Sequence, residues 1–222
     1  MISKQIHYIW LGNNPLPPTI EKCIESWQKN LPDYEIKCWN ESNLHITDPV
    51  YLKTLESKKW AFASDIARLH ILYKHGGIYL DTDMEVIKSL DPLLNTELFI
   101  GLEDKKHIAA GIIGCTPNNQ FIKDCLDAVT LSLTTNTIPI PQVITKIYDL
   151  KKSKYEFEHQ IYQKDYFYPY NPYASEIKIL FFSDITEKTY AIHHWGHSWK
   201  MGIFAKIFQK IKRTITRQQV GS

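Results

Sequence analysis

The 222-residue chain lacks any apolar run near the ~18 residues that a membrane-spanning helix needs. Its first residues, "MISKQIHYIWLG", lack the long apolar stretch and small-residue cleavage site of a secretory signal, so the expected location is the cytoplasm. Cys23, Cys38, Cys115 and Cys125 form no C-x-x-C pair and no zinc-type spacing, which predicts reduced, mostly buried thiols. Internal repeats and low-complexity segments are also missing, which excludes solenoids and disordered linkers. Strong net charge is absent too: the formal total is +2. That small number hides an asymmetry. Residues 201–222 hold five basic groups and no acid, leaving 21 basic against 24 acidic residues in 1–200. A mildly acidic body with a basic tail argues against nucleic acid as a partner.

What is present reads as one α/β domain over residues 1–200 with a separate tail. "QIHYIWLG" (5–12) is a first strand and turn, and "PTIEKCIESWQKN" (18–30) places Ile20, Cys23, Ile24 and Trp27 on one helical face behind an opening Pro18. "YEIKCW" (34–39) alternates as a strand, completing a β-α-β unit. A helix is expected from about Trp60 to Lys74, stopped by Gly76 and Gly77, one of them left-handed. "IYL" (78–80) follows as a short buried strand. Further strands are expected at 97–103, 109–115 and 189–195, and helices at 120–133 and 141–150. The Tyr- and Pro-rich stretch 162–176 should be irregular.

The chemistry gathers where "IYL" ends. Asp81 and Asp83 flank Thr82. In an extended segment, residues i and i+2 face one side, so the two carboxylates could share a hard cation such as Mg²⁺ or Mn²⁺. A polar surface turn accounts for about half of such D-x-D matches. The buried strand and Gly-Gly break before this one favour a site. A phosphatase of the haloacid dehalogenase type would have Thr or Val where Glu85 stands, and its motif would follow a strand near the chain start. Asp65 and Arg68 lie on one helical face with apolar neighbours, a pattern for a partly buried ion pair rather than a surface one.

Three blocks, "IHYIWLG" (6–12), "KWAFASDIARLHILYKHGGIYLDTDMEV" (59–86) and "IHHWGHSW" (192–199), resemble glycosyltransferase family 32. That family includes yeast-type initiating mannosyltransferases and bacterial capsule and O-antigen enzymes, and is distantly similar to clostridial glucosylating toxins. The resemblance covers residues 1–103 well, 190–199 fairly and 104–189 hardly at all. It implies a GT-A fold with a mixed, mostly parallel sheet, a nucleotide-sugar donor (UDP-sugar favoured, GDP-mannose the alternative), a divalent cation, and transfer with retention. On these positions it implies that Asp83 binds the metal, and that Asp81 contacts metal-bound water or the donor ribose and sugar, with Thr82 beside them. Asp65 would bind sugar hydroxyls, with Arg68 and Ser64 supporting it. Trp10 would stack on the base while the Ile9–Leu11 backbone reads its edge; Tyr79, inside the strand, reads more simply as core. A histidine (His193 or His194) or Ser198 would complete the metal shell, and Ser198 and Trp199 would close over the diphosphate, with His197 where a small residue is more usual. No general base is implied, because the leaving phosphate can take the acceptor's proton. Glu103 and Asp104 read as solvated strand-end charges before they read as stabilising groups.

The tail, 201–222, segregates Ile203, Phe204, Ile207, Phe208, Ile211 and Ile215 from Lys206, Lys210, Arg213 and Arg217 at helical spacing. That pattern predicts an amphipathic helix on an anionic membrane surface, in keeping with a lipid-linked oligosaccharide acceptor, and places the protein on the inner face of the cytoplasmic membrane. A helix docked on the domain is the alternative. The expected activity is hexosyl transfer in bacterial capsule, O-antigen or exopolysaccharide assembly. The alternatives are toxin-like O-glycosylation of a protein or an inactive carbohydrate-binding module.

Overall fold

The computed structural model describes residues 1–135, 138–174 and 178–196. Strand β1 (Gln5–Ile9), helix α1 (Pro18–Asn30) and strand β2 (Glu35–Trp39) form the expected opening unit, with β1 and β2 parallel. Helix α2 (Pro49–Glu56), which the periodicity did not reveal, follows. Asp48 caps it by accepting the Val50 and Tyr51 N–H groups, and Pro49 sits in its first turn. Helix α3 (Trp60–His75) leads into β3 (Gly77–Leu80) and then β4 (Met84–Val86). Strands β5 (Leu98–Leu102) and β6 (Ile108–Cys115), helices α4 (Gln120–Thr134) and α5 (Ile140–Lys151), and strands β7 (His159–Tyr162) and β8 (Ala191–His193) complete the order. Among the described residues between β7 and β8 the chain is irregular apart from single turns of 3-10 helix. Among the described residues no helix is long and apolar enough to cross a membrane.

Six strands lie in the order β2-β1-β3-β6-β5-β7, and β4 pairs with β8 in a separate ribbon. Only β6 runs against the others. Two apolar layers cover the sheet. Tyr79 of β3 enters the layer beneath α3, α4 and α5, while Ile78 and Leu80 enter the layer shared with Trp27 of α1, as a period of two requires. Helix α1 also holds β4 directly. The Trp27 indole N–H donates to the Met84 carbonyl, and Asn30 Nδ2 donates to the Val86 carbonyl.

The Gly76-Gly77 pair departs from the left-handed helix stop expected of it. Gly76 has φ 65° and ψ −149°, a region essentially closed to side-chain-bearing residues. A Cβ on Gly76 would lie 2.7 Å from Pro117, and one on Gly77 would lie 2.8 Å from the Gln5 carbonyl. The α3–β3 corner is thus too tight for any side chain, and the closeness lets β3 enter the sheet immediately.

Buried His7 braces that corner. Its Nδ1 accepts from the Trp39 indole and its Nε2 lies 3.1 Å from the Gly76 carbonyl, so the proton sits on Nε2 and the ring is neutral. Burial, then the neighbouring His75, push the His7 pKa down to about 4 from 6.5. The depressed folded pKa means that the unfolded chain takes up the proton first. The contribution is therefore intact above about pH 6.5 and lost as pH falls towards 4, amounting to about 3 kcal/mol. Urea melts should show this acid loss, and His7→Gln should flatten it between those pH values; an unchanged pH slope would count against the assignment.

Candidate active site

Asp81 and Asp83 do not lie in an extended segment. The Met84 N–H donates to the Asp81 carbonyl at 3.0 Å, closing a turn between β3 and β4. The carboxylates still converge, because the turn is held at both ends: the Asp81 N–H donates to Gly111 at 2.8 Å, and β4 is clamped by α1. Gly111 sits in an irregularity of β6. Ile100 pairs with Ile113 but Leu102 with Ile108, so β6 carries three extra residues over that interval. The bulge turns two carbonyls towards the site: that of Gly111 to Asp81, and that of Ala110 to the Arg68 guanidinium at 3.0 Å.

Arg68 is the hub. Its Nη2 meets Asp65 Oδ1 at 3.0 Å, its Nη1 meets Asp81 Oδ1 at 3.0 Å, and its Nε donates to the Ser64 carbonyl. Ser64 thus contributes its backbone here. The Arg68 side chain is only 8% exposed, and its guanidinium lies over the Tyr79 ring. The Tyr79 hydroxyl donates to Asp81 Oδ1 at 2.9 Å, so this residue is both core and site. Arg68 and Tyr79 both engage Oδ1 of Asp81, which leaves Oδ2 for a ligand. Burial pushes the Asp65 carboxyl up to about 6, with Arg68 opposing and Asp81 adding to the shift. Burial opposes the Arg68 charge, but Asp81, then Tyr79 and Asp65, hold the guanidinium firmly protonated.

Strand β8 brings His193 across the ribbon to Met84. Its Nε2 lies 3.1 Å from Asp83 Oδ1, and the Gly196 N–H donates to Asp83 Oδ2 at 2.8 Å. Burial pushes the Asp83 carboxyl up, but His193 and the Gly196 N–H outweigh it and hold Asp83 below the ordinary carboxylate range. Burial opposes protonation of His193, and Asp83, followed by Asp81 and Glu103, reverses that. Asp81, Asp83 and His193 place ligand atoms within 4.8 Å of one another. His194 does not join them: its imidazole lies 2.8 Å from Glu85.

Two carboxylates and an imidazole suit Mn²⁺ or a similar divalent cation, and the buried Nδ1 of His193 has no hydrogen-bond partner. The donor set therefore fits a metal. Ile9 and Leu11 are buried, and Trp10 is half-buried with its indole N–H donating to the Asn14 carbonyl. Thr82 is buried. His197, Ser198, Trp199 and the 201–222 helix lie outside the described residues.

Sequence reasoning missed Tyr168, Tyr170 and Trp195. The Tyr168 oxygen accepts the Ile112 N–H, and its ring meets His193 edge-on. Trp195 packs on His193 with ring centroids 4.3 Å apart and donates to the Tyr170 carbonyl. The Tyr170 hydroxyl in turn donates to the His194 carbonyl. The one signal for the two tyrosines was the aromatic density of 162–176, which has no periodicity to read, while Trp195 stands within the "IHHWGHSW" block. Asp104 braces its own loop, accepting from the Lys106 and His107 N–H groups and meeting the His107 ring. Glu103 is not simply solvated: burial, then Asp104, push its carboxyl up to about 7.

Residues 17–100 match the family model described as a glycosyltransferase sugar-binding region containing a DXD motif. That matched segment holds Asp65, Arg68, Asp81 and Asp83, and it supports a likeness to glycosyltransferase family 32. It is 31% identical over 126 residues to inositol phosphoceramide mannosyltransferase 3 of Schizosaccharomyces pombe, covering 54% of this chain and 35% of that protein. It is 25% identical over 183 residues to lactosylceramide 4-alpha-galactosyltransferase of Mus musculus, covering 76% of this chain and 48% of the other. The chain thus spans about a third to a half of these relatives. Among solved structures, the PaToxG glycosyltransferase aligns with a TM-score of 0.58 and 22% identity, covering 68% of this chain and 69% of that one. That likeness concerns the fold, which is GT-A.

Proposed function

We propose that this chain is a metal-dependent, retaining hexosyltransferase that takes its sugar from a nucleoside diphosphate, UDP in preference to GDP, and delivers it to a lipid-linked glycan. The observation that carries this reading is the meeting of Asp81, Asp83 and His193 with the buried Asp65–Arg68 pair through Asp81. Asp83, Asp81 and His193 would hold the cation, which supplies positive charge to the departing diphosphate. Arg68 holds Asp65 and Asp81 in one orientation. Asp65 then accepts from hydroxyls of the donor sugar, and Trp10 offers a ring face to the base with the Ile9–Leu11 backbone beside it. Ser198 and Trp199 follow Gly196 and would close over the phosphates.

Two relatives named for ceramide-linked acceptors support an amphipathic acceptor. In this reading the basic tail lies on the cytoplasmic face of a membrane, and the product is a bacterial surface polysaccharide. The test is a thermal-shift panel of UDP-glucose, UDP-galactose and GDP-mannose, with and without Mn²⁺. A donor at a hundredfold its Kd adds about 2.7 kcal/mol, a rise of roughly 5–10 °C for a chain of this size. Stabilisation should require both nucleotide sugar and metal. A rise without metal would sink the metal-bridged site, and donor hydrolysis with Mn²⁺ would exclude an inactive binding module.

A further inference from the structure

Between Lys178 and Asp184 the chain turns outward in a single 3-10 turn, Phe182–Asp184. Three large apolar side chains stand in solvent there: Ile179 is 61% exposed, Phe181 46% and Phe182 95%. The turn is built rather than loose. The Asp184 carboxylate accepts the Phe181 N–H at 2.8 Å, and the Asp184 N–H donates to the Phe181 carbonyl. The following residues are anchored as well, with Thr189 Oγ1 donating to the Asp165 carbonyl and the Tyr190 N–H to the Tyr166 carbonyl. A protein seldom holds adjacent phenylalanines in water on a braced turn without a use for them.

The turn also stands close in the chain to the catalytic rim. Nine residues after Phe182, β8 begins and delivers His193 to Asp83. Before the turn, Tyr173 meets Trp195, which itself packs on His193. Gly196, the last described residue, is bonded to Asp83 at that rim. The tail sequence carries Lys206, Lys210, Lys212, Arg213 and Arg217 and no acid, and Lys178 and Lys188 flank the exposed turn.

We propose that Ile179, Phe181 and Phe182 form an apolar wedge that enters an anionic lipid surface beside the active site, as a contact separate from the basic tail. The wedge is convex and aromatic, which suits insertion among lipid headgroups better than a fitted pocket. The basic residues following the rim supply complementary charge. It deepens the lipid-acceptor reading by giving the enzyme an orientation: the rim that carries His193 would face the membrane where such an acceptor resides.

The full-length protein and its Phe181→Ser/Phe182→Ser variant should be sedimented with phosphatidylcholine–phosphatidylglycerol vesicles at low and high salt. The variant should partition about tenfold or more weakly at both salts, because burial of apolar area is not screened. Melting temperature and Mn²⁺-dependent donor hydrolysis without vesicles should match the wild type; their loss in the variant alone would show that the phenylalanines serve the fold and would overturn the wedge, whereas a wild type without hydrolysis would tell against the enzymatic reading. Phe182→Trp should acquire quenching by brominated acyl chains above the background of the native tryptophans. Unchanged partition of the serine variant, or no added quenching in the tryptophan variant, would overturn the proposal. So would an introduced indole already shielded without vesicles, since the chain's own tail or a second copy would then cover the turn.

Discussion

Replacing Asp83 with alanine is expected to lower transfer on the order of 10³-fold, as loss of a main electrostatic anchor at the reacting phosphate does. Asp83 also has a structural duty, since it accepts the Gly196 N–H and lies against His193. Alanine alone would therefore confuse charge with rim geometry. Asp83→Asn separates them: it keeps an acceptor for Gly196 and removes the negative charge. Both variants should lose Mn²⁺-dependent donor binding, while the asparagine form keeps the wild-type melting temperature. Initial rates across a Mn²⁺ titration provide the measurement. An asparagine variant within about tenfold of wild type would remove the metal from the mechanism.

Arg68→Ala is expected to cost about 3–5 kcal/mol of stability, the usual result of stripping one partner from a buried ion pair. Here the cost has two sources. Asp65 and Asp81 lose their shared cation, and the Ala110 carbonyl at the β6 bulge loses its donor. A fall of roughly 10 °C or more in melting temperature should follow. The sign of the pH dependence identifies the cause. Without Arg68 the Asp65 carboxyl, which burial already pushes up to about 6, loses the cation that opposes that rise. The penalty is then greatest above the folded pKa and shrinks as pH falls towards the unfolded value. Wild-type and variant melts should therefore draw together as pH falls towards about 6. A deficit that stayed constant with pH would mean lost packing rather than stranded charge.

Residues 1–103 were the most legible part because their signals are local. Pro18, the Ile20–Cys23–Trp27 face and the Gly76-Gly77 break each report a backbone requirement within a few positions. Helix α2 escaped because eight residues with two buried side chains, Tyr51 and Thr54, are too few for a period. Strand β4 is three residues long and exists because α1 clamps it on one side and β8 pairs on the other. The extended geometry assumed for Asp81-Thr82-Asp83 failed for a related reason, since the Met84-to-Asp81 bond that makes it a turn depends on where β4 is held.

The sequence by itself determined the order of the opening β-α-β unit, the buried character of "IYL", and the pairings of Asp65 with Arg68 and of Asp81 with Asp83, which only the resemblance to glycosyltransferase family 32 joined into one site. Periodicity, glycine placement and spacing are properties of neighbours along the chain, so they survive without a fold. The tertiary structure decided which histidine stands at Asp83, because His193 ends β8 beside Asp83 while His194, one residue past the strand, meets Glu85. It also decided that Arg68 bridges both acids, since the β6 bulge that orients Ala110 and Gly111 arises from a pairing mismatch between strands. Register and bulges are set by contacts between distant segments, which a linear pattern does not contain.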